Sequence, residues 1–280
     1  MNFIKEFEEK VKNNIEEYNL ANKKDKIMVA CSGGKDSTAT LYLLKKFGYN
    51  VEALIIDLLI GDWSDKSLEN VKTFCKKYKI KLHVINMRKE FGSSICHIRS
   101  SVQSKTKLSD CAICGVIKRW LLNKKARELK AVKLATGHNL DDEVETILMN
   151  NFKGNPGLNI NLGPKTGIVN SKKFIQRIKP LYFLTNKEIK KYSIAMKFPV
   201  MYEPCPCSKA AFRNDVRKFI SDMEKQYPKI KINIIENFLR IRDDLRKSYK
   251  SDKKLKSCEI CNEPSRKNIC RRCELIQILK

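Results

Sequence analysis

Residues 26–37 read KIMVACSGGKDS, and this stretch decides the fold. A short apolar run stops at a Ser-Gly-Gly turn, and residues 36–47 then carry apolar side chains at helical spacing. The reading is strand, tight turn, helix. The same order recurs downstream: 51–58 reads as a buried strand, 67–78 as a helix and 81–87 as a strand. Beyond these, 111–129 reads as a helix, 132–136 as a strand, 141–151 as a helix, 174–181 as a strand and 186–197 as a helix capped at Thr185 or Asn186. Strands alternating with helices predict an α/β fold, a parallel sheet covered on both faces. An amphipathic helix carrying Phe3, Phe7, Val11 and Ile15 leads into it. The Gly-, Asn-, Pro- and Lys-rich stretch 153–173 predicts an exposed, mobile loop, and 210–249 predicts basic helices broken near Pro228.

With 280 residues, 42% hydrophobic and 31% charged, the chain can bury a sizeable core and falls outside disordered and collagen-like compositions. The 57 Lys and Arg against 31 Asp and Glu leave a net charge of +26, a self-repulsion that a polyanionic partner would relieve. A composition biased toward Lys, Ile and Asn would give the same excess without any partner. The longest apolar stretch, 51–60, contains Glu52 and Asp57 and is far shorter than the roughly 20 residues of a spanning helix. The N-terminus lacks the apolar core of a secretory signal, so a cytoplasmic protein without membrane contact is expected. Eleven cysteines in a reducing compartment point to metal or thiol chemistry instead of disulfides.

In open α/β sheets, ligands bind at the carboxyl ends of the strands, which is where Ser32, Gly33, Gly34, Lys35, Asp36 and Ser37 fall. Glycine lets backbone approach a ligand closely, and the helix start offers unpaired N–H groups to an anion. A phosphate cradle is predicted, and it is not the G-x-x-x-x-G-K-[ST] loop, because no such string occurs. SGGKDS resembles the pyrophosphate loop of the PP-loop ATPases, Rossmann-like proteins of the adenine nucleotide alpha hydrolase type that release pyrophosphate while adenylating a substrate. It is joined by CAICGVIKR over 111–119, TGHNLDD over 136–142, QRIKPL over 176–181, CPCS over 205–208 and AFR over 211–213. Together these resemble the tRNA 2-thiouridine synthetases. The resemblance runs from about residue 26 to the C-terminus.

That resemblance implies ATP, with magnesium held mainly by phosphates and water, a tRNA substrate, and sulfur from sulfide or a thiocarboxylated carrier protein; a homodimer is possible. It implies that Cys111, Cys114 and Cys205 hold a [4Fe-4S] cluster with one open iron, that Lys118 and Asp142 are catalytic, and that Gly137 borders the nucleotide; Asp57, near the end of the second strand, falls where adenine or ribose could bind. Three thiolates suit such a cluster, since full ligation takes four. Cys207 departs from the family pattern, in which an aromatic residue follows the Cys-Pro. With Cys207 counted, an all-thiolate zinc site is an open alternative, as is a persulfide on Cys111 or Cys114. His138 reads either as an acid-base group or as a packing residue. Asp57 can equally cap its own loop.

Near the C-terminus, Cys258, Cys261, Cys270 and Cys273 form two C-x-x-C pairs, a strong zinc pattern in a segment too small for an apolar core of its own. Arg266, Lys267, Arg271 and Arg272 around it favour RNA contact over a purely structural clasp. Many relatives also carry an N-terminal zinc ribbon, whereas this sequence begins with a helix. The expected organisation is a helix over 1–22, a PP-loop domain over 23–208, basic helices over 209–252 and a zinc module over 253–280. The expected function is ATP-dependent 2-thiolation of a tRNA uridine. A tRNA 2-thiocytidine synthetase and a zinc-bearing RNA-binding protein without thiolase activity stand as alternatives.

Overall fold

The computed structural model describes residues 3–166, 173–208, 212–248 and 256–279. In chain order the elements are α1 (Phe3–Glu17), β1 (Lys26–Cys31), α2 (Lys35–Lys46), β2 (Asn50–Asp57), α3 (Gly61–Lys77), β3 (Leu82–Asn86), α4 (Met87–Phe91), α5 (Ile95–Gln103) and α6 (Asp110–Glu128). They continue with β4 (Lys133–Ala135), α7 (Leu140–Phe152), β5 (Lys165–Thr166), β6 (Gln176–Ile178), α8 (Asn186–Ala195), α9 (Phe212–Gln226) and α10 (Ile230–Ser248). A two-stranded ribbon, β7 (Lys256–Ser257) with β8 (Pro264–Ser265), and α11 (Arg271–Gln277) close the chain.

The main sheet has the order β3-β2-β1-β4-β6-β5, parallel except for β5 against β6. Side chains alternate across it, as the period of two demands. Ile27, Val29, Val51, Ala53 and Ile55 face the core shared with α1, α2, α3 and α8, while Met28, Leu54, Ile56 and Leu134 face the core beneath α5 and α6. A third cluster joins α7 to α9 and α10 through Val144, Ile147, Ile220, Ile235 and Phe238. From β1 the chain moves outward to β2 and β3, then returns to β4 on the other side of β1. The loops leaving β1 and β4 therefore splay apart, and a crevice opens between them.

Most elements match the sequence pattern within a residue or two, and Thr185 caps α8 in a reciprocal capping box with Glu188. Four regions differ. The third helix begins at Gly61, six residues before the expected start, because Ser64 closes its first turn by accepting from the Ile60 N–H at 2.8 Å. Helices α4 and α5 occupy a stretch with no element assigned; buried Ile95, Ile98 and Val102 behind the N-cap Ser94 are the signal for α5. Within the expected loop 153–173, residues Pro156–Asn161 form a 3₁₀ helix held by the buried Asn159, and β5 follows it. The part of that loop over 167–172 lies outside the described residues. Finally, the strand expected over 174–181 is only β6, since Pro180 supplies no N–H to extend the ladder.

The N-terminal helix, set apart at 1–22 in the sequence pattern, shares the main core. Its Phe7 stacks on Tyr192 at 4.2 Å, and Asn14 donates to the Pro180 carbonyl at 2.7 Å.

Candidate active site

The first lip of the crevice is the 32–37 loop. Ser37 Oγ accepts from the Ser32 N–H at 3.1 Å and donates to the Gly34 carbonyl at 3.2 Å, so one hydroxyl braces the whole turn. Gly33 has φ +76°, and a Cβ there would stand 2.7 Å from Ser67 Cα; only glycine fits. Gly34 begins α2 in extended conformation and no side chain caps the helix, which leaves its first N–H groups to an anion. Lys35 Nζ bridges both Asp36 carboxylate oxygens at 2.8 and 2.9 Å. Ser32, Gly34, Lys35 and Asp36 line a cavity of about 200 Å³ that Trp63, Met201, Tyr202 and Glu203 close from the other side. The Met201 N–H, donating to the Gly33 carbonyl at 3.1 Å, ties that wall to the loop. Asp57 looks elsewhere: its carboxylate accepts from the Leu59 N–H at 3.2 Å and from Asn86 Nδ2 at 3.3 Å, so it caps its own loop.

The second lip is 136–142. A Cβ on Gly137 would lie 2.7 Å from both the Asp36 carbonyl carbon and the Ser37 nitrogen, so glycine alone lets the two lips touch. Asn139 Nδ2 donates to Asp36 at 3.1 Å, while Asn139 and Asp142 form the capping box that starts α7. Burial pushes the Asp142 carboxyl up to about 6, with Arg213 opposing and the nearby Asp36 adding to the rise. His138 Nδ1 lies 2.8 Å from Thr136 Oγ1. Desolvation and the surrounding Lys179, Arg213, Arg177 and Arg119 lower its imidazole pKa, although the residue is exposed, and so favour the neutral ring.

Helix α6 carries two of the internal cysteines, and its Arg119 faces both Cys114 and His138 of the second lip. Cys111 lies exposed in its first turn, Cys114 is half-buried one turn on, and the 3₁₀ turn Pro206–Ser208 packs on α6 to bring Cys205 and Cys207 alongside. Desolvation raises the Cys114 thiol, Lys118 and Arg99 oppose it, and Cys111 and Cys207 act as further neighbours. Cys205 is likewise raised by burial, and its thiol accepts from the Cys207 backbone N–H. Lys118, seven residues after Cys111, faces Cys114 and Cys205. The donor set is all thiol and fits a metal centre. It does not close to zinc size: among the described residues, Cys258, Cys261, Cys270 and Cys273 form the only group of three or more possible ligands whose atoms all lie within 4.8 Å of one another.

That terminal group is compact. Cys261 and Cys270 sulfurs are 3.6 Å apart, and the Cys270 N–H donates to Cys258 Sγ at 3.2 Å. The module is clamped on the back of α6 by Glu263, which pairs with Arg127, and by Leu275, which enters the core beneath α6. Of its basic residues, Arg272 lies 4.3 Å over the Trp120 ring and Arg271 pairs with Glu274 at 2.8 Å. Packing takes up Arg272, so this part of the expected RNA-contacting set turns inward.

Several site residues escaped sequence reading. Trp63, Met201, Tyr202 and Glu203 line the cavity at the 32–37 loop from segments far from it in sequence. Arg99 joins the cysteine site from α5, pairing with Asp110 at 3.1 Å. Asn139 had a legible signal, an Asn three residues before Asp142 at a helix start.

Residues 4–224 match the PP-loop domain family. The chain is 36% identical to a tRNA-5-methyluridine(54) 2-sulfurtransferase of Pyrococcus horikoshii, over 97% of this chain and 85% of that protein. It is 33% identical to a cytoplasmic tRNA 2-thiolation protein 1 of Chlamydomonas reinhardtii, over 98% and 77% respectively. Its fold is similar to that of the U34-tRNA thiolase NcsA from Methanococcus maripaludis, solved with its [4Fe-4S] cluster, with a TM-score of 0.81, 27% identity and coverage of 98% of this chain and 87% of that one.

Proposed function

The chain belongs to the PP-loop domain family together with tRNA sulfurtransferases, and from that premise we propose that it adenylates the C2 oxygen of a tRNA uridine and replaces that oxygen with sulfur. One observation carries the reading: Glu203 lines the cavity of the phosphate cradle two residues before Cys205, whose thiol faces Cys207 and Lys118, so one short segment joins the cradle to the cysteine group. Neither half alone needs the other.

In this reading the N–H groups of 34–37 and Lys35 would bind the β- and γ-phosphates of ATP, and magnesium would supply further neutralisation of those phosphates. The uridine C2 oxygen attacks the α-phosphorus and pyrophosphate leaves. The oxygen, a poor leaving group until then, now departs as AMP when sulfide adds at C2. Lys118 stabilises the charge that develops between the two centres, and Asp142 shuttles the uridine N3 proton, a task suited to a carboxyl lifted to about 6. Cys111, Cys114 and Cys205 would hold a [4Fe-4S] cluster, which supplies an open iron for a sulfur donor. The open spacing of these thiols supports a cluster over zinc, because four thiolates on one zinc at 2.3 Å stand only about 3.8 Å apart. The compact spacing of Cys258, Cys261, Cys270 and Cys273 supports a structural zinc.

Anaerobic purification with quantification of iron, sulfide and zinc tests the metal assignment. About four irons and one zinc per chain are expected; two zincs and no iron would return the persulfide route or plain RNA binding. Mass spectrometry of nucleosides and of RNase fragments after incubation with ATP, sulfide and unmodified tRNA tests the reaction. It also separates 2-thiouridine from 2-thiocytidine and locates the modified position, which differs between the two archaeal relatives by their names.

A further inference from the structure

Arg119 and Arg177 meet on the α6 side of the crevice, and neither has a carboxylate partner among the described residues. Arg177 leaves β6 opposite Leu134, whose side chain lies in the core beneath α6, and its Nη2 donates to the Arg119 carbonyl at 3.4 Å. The Arg119 guanidinium folds back along α6 over Gly115, with Nη1 only 3.0 Å from where a Cβ at 115 would stand. Its electrostatic neighbours are Cys114 on one side and His138 and Arg177 on the other, which sets the pair between the sulfur site and the end of β4. Desolvation and the facing Arg119 bring Arg177 down to about 10. The other cations around His138 are already matched, Lys179 by Glu143 at 2.6 Å and Arg213 by Glu145 at 3.0 Å. Two neighbouring arginines with no carboxylate counter-ion repel each other, and their forked donors suit a phosphate.

Resting on the sulfurtransferase reading above, we propose that Arg119 and Arg177 form a second phosphate clamp, distinct from the 32–37 loop, that seizes a phosphate of the reacting nucleotides. The position on β6, one strand beyond β4 and away from the Trp63 wall of the nucleotide cavity, favours a phosphodiester of the RNA strand next to the target uridine. The α-phosphate of the nucleotide is the other source of the same chemistry. Gly115 then has a purpose: it leaves room for the Arg119 guanidinium to lie back along α6.

The test uses the full-length protein purified without oxygen and its Arg119→Gln, Arg177→Gln, double Gln and double Lys variants. Unmodified tRNA binding is measured across salt concentrations, ATP affinity is measured separately, and iron content and melting temperature are followed. In the double Gln variant, tRNA binding should weaken about tenfold and the salt slope should fall by about one, with ATP affinity unchanged and partial rescue in the double Lys variant. The melting temperature should hold or rise, because a repelling pair has been neutralised, whereas a merely structural role would lower it. A loss of ATP affinity with tRNA binding intact would assign the clamp to the α-phosphate. Unchanged affinities for both, or losses that only track a lowered melting temperature, would overturn it. A wild-type protein that thiolates no nucleoside while the pair still governs phosphate binding would sink the parent reading alone.

Discussion

Two regions use the same Cys-x-x-Cys spacing and end in opposite states. At 258–273 the four sulfurs are drawn within 4.8 Å, three of the four cysteines are buried, and backbone N–H groups point at sulfur. At 111–114 and 205–207 the thiols sit on an exposed helix start and a short turn, beside Lys118 and Arg99. Metal sites that only hold structure are closed, while those that do chemistry keep a position free. The spacing of two cysteines is therefore silent about role; what surrounds them decides it.

The largest expected effect separates the regions outright. Cys111→Ala, Cys114→Ala and Cys205→Ala should each drop thiolation to background, read by nucleoside mass spectrometry, with the melting temperature unchanged within about 2 °C. A large loss of stability in any of them would erase the contrast and make the internal site structural.

Next, Asp142→Asn should cost about 10²–10⁴ in rate with iron content retained. In the wild type the rate should rise with pH through about 6, where the deprotonated carboxylate accumulates, and the variant should lose that limb. The stability sign is opposite. The folded carboxyl binds its proton more tightly than the unfolded one, so its contribution falls as pH rises from about 4 to about 6 and opposes the rise from the depressed His138; stability should therefore climb more steeply with pH over that range in the Asn variant than in the wild type. Urea melts across that range check it.

For the closed site, Cys258→Ser or Cys270→Ser should remove about 3–5 kcal/mol, or roughly 10 °C in melting temperature, because the clamp on α6 is lost. Residual thiolation should follow the folded fraction, and a variant that melts normally yet loses activity would give the module a direct part in catalysis. The smallest effect is expected for Cys207→Ala: iron per chain and thiolation should stay within about twofold. Loss of iron there, with retention in Cys205→Ala, would exchange the two as third ligand.

Much of the fold was legible before any coordinates. Apolar runs punctuated by Gly and Pro marked β1, β2 and β3 and nearly all the long helices, and the SGGKDS turn marked the crevice. The second helix of the 87–103 stretch carried its own signal in Ile95, Ile98 and Val102, yet its length of nine residues left the period weak. Asp57 shows the limit for single residues. A carboxylate at a strand end is chemically able to meet a ribose, and only its two donors, the Leu59 N–H and Asn86 Nδ2, show that it caps a loop.

By itself the sequence determined the strand-turn-helix order, the phosphate loop, the two cysteine groups and the excess of positive charge, because these are local patterns or sums over residues. Tertiary structure alone decided that 201–203 walls the cavity at the 32–37 loop, that Gly137 seats one lip on the other, that Arg272 faces inward onto Trp120, and that Arg119 meets Arg177. Each of those joins residues dozens to more than a hundred positions apart. Such contacts follow from how a parallel sheet reverses its strand order and from which helix face the core claims, and neither is written in the spacing of neighbouring residues.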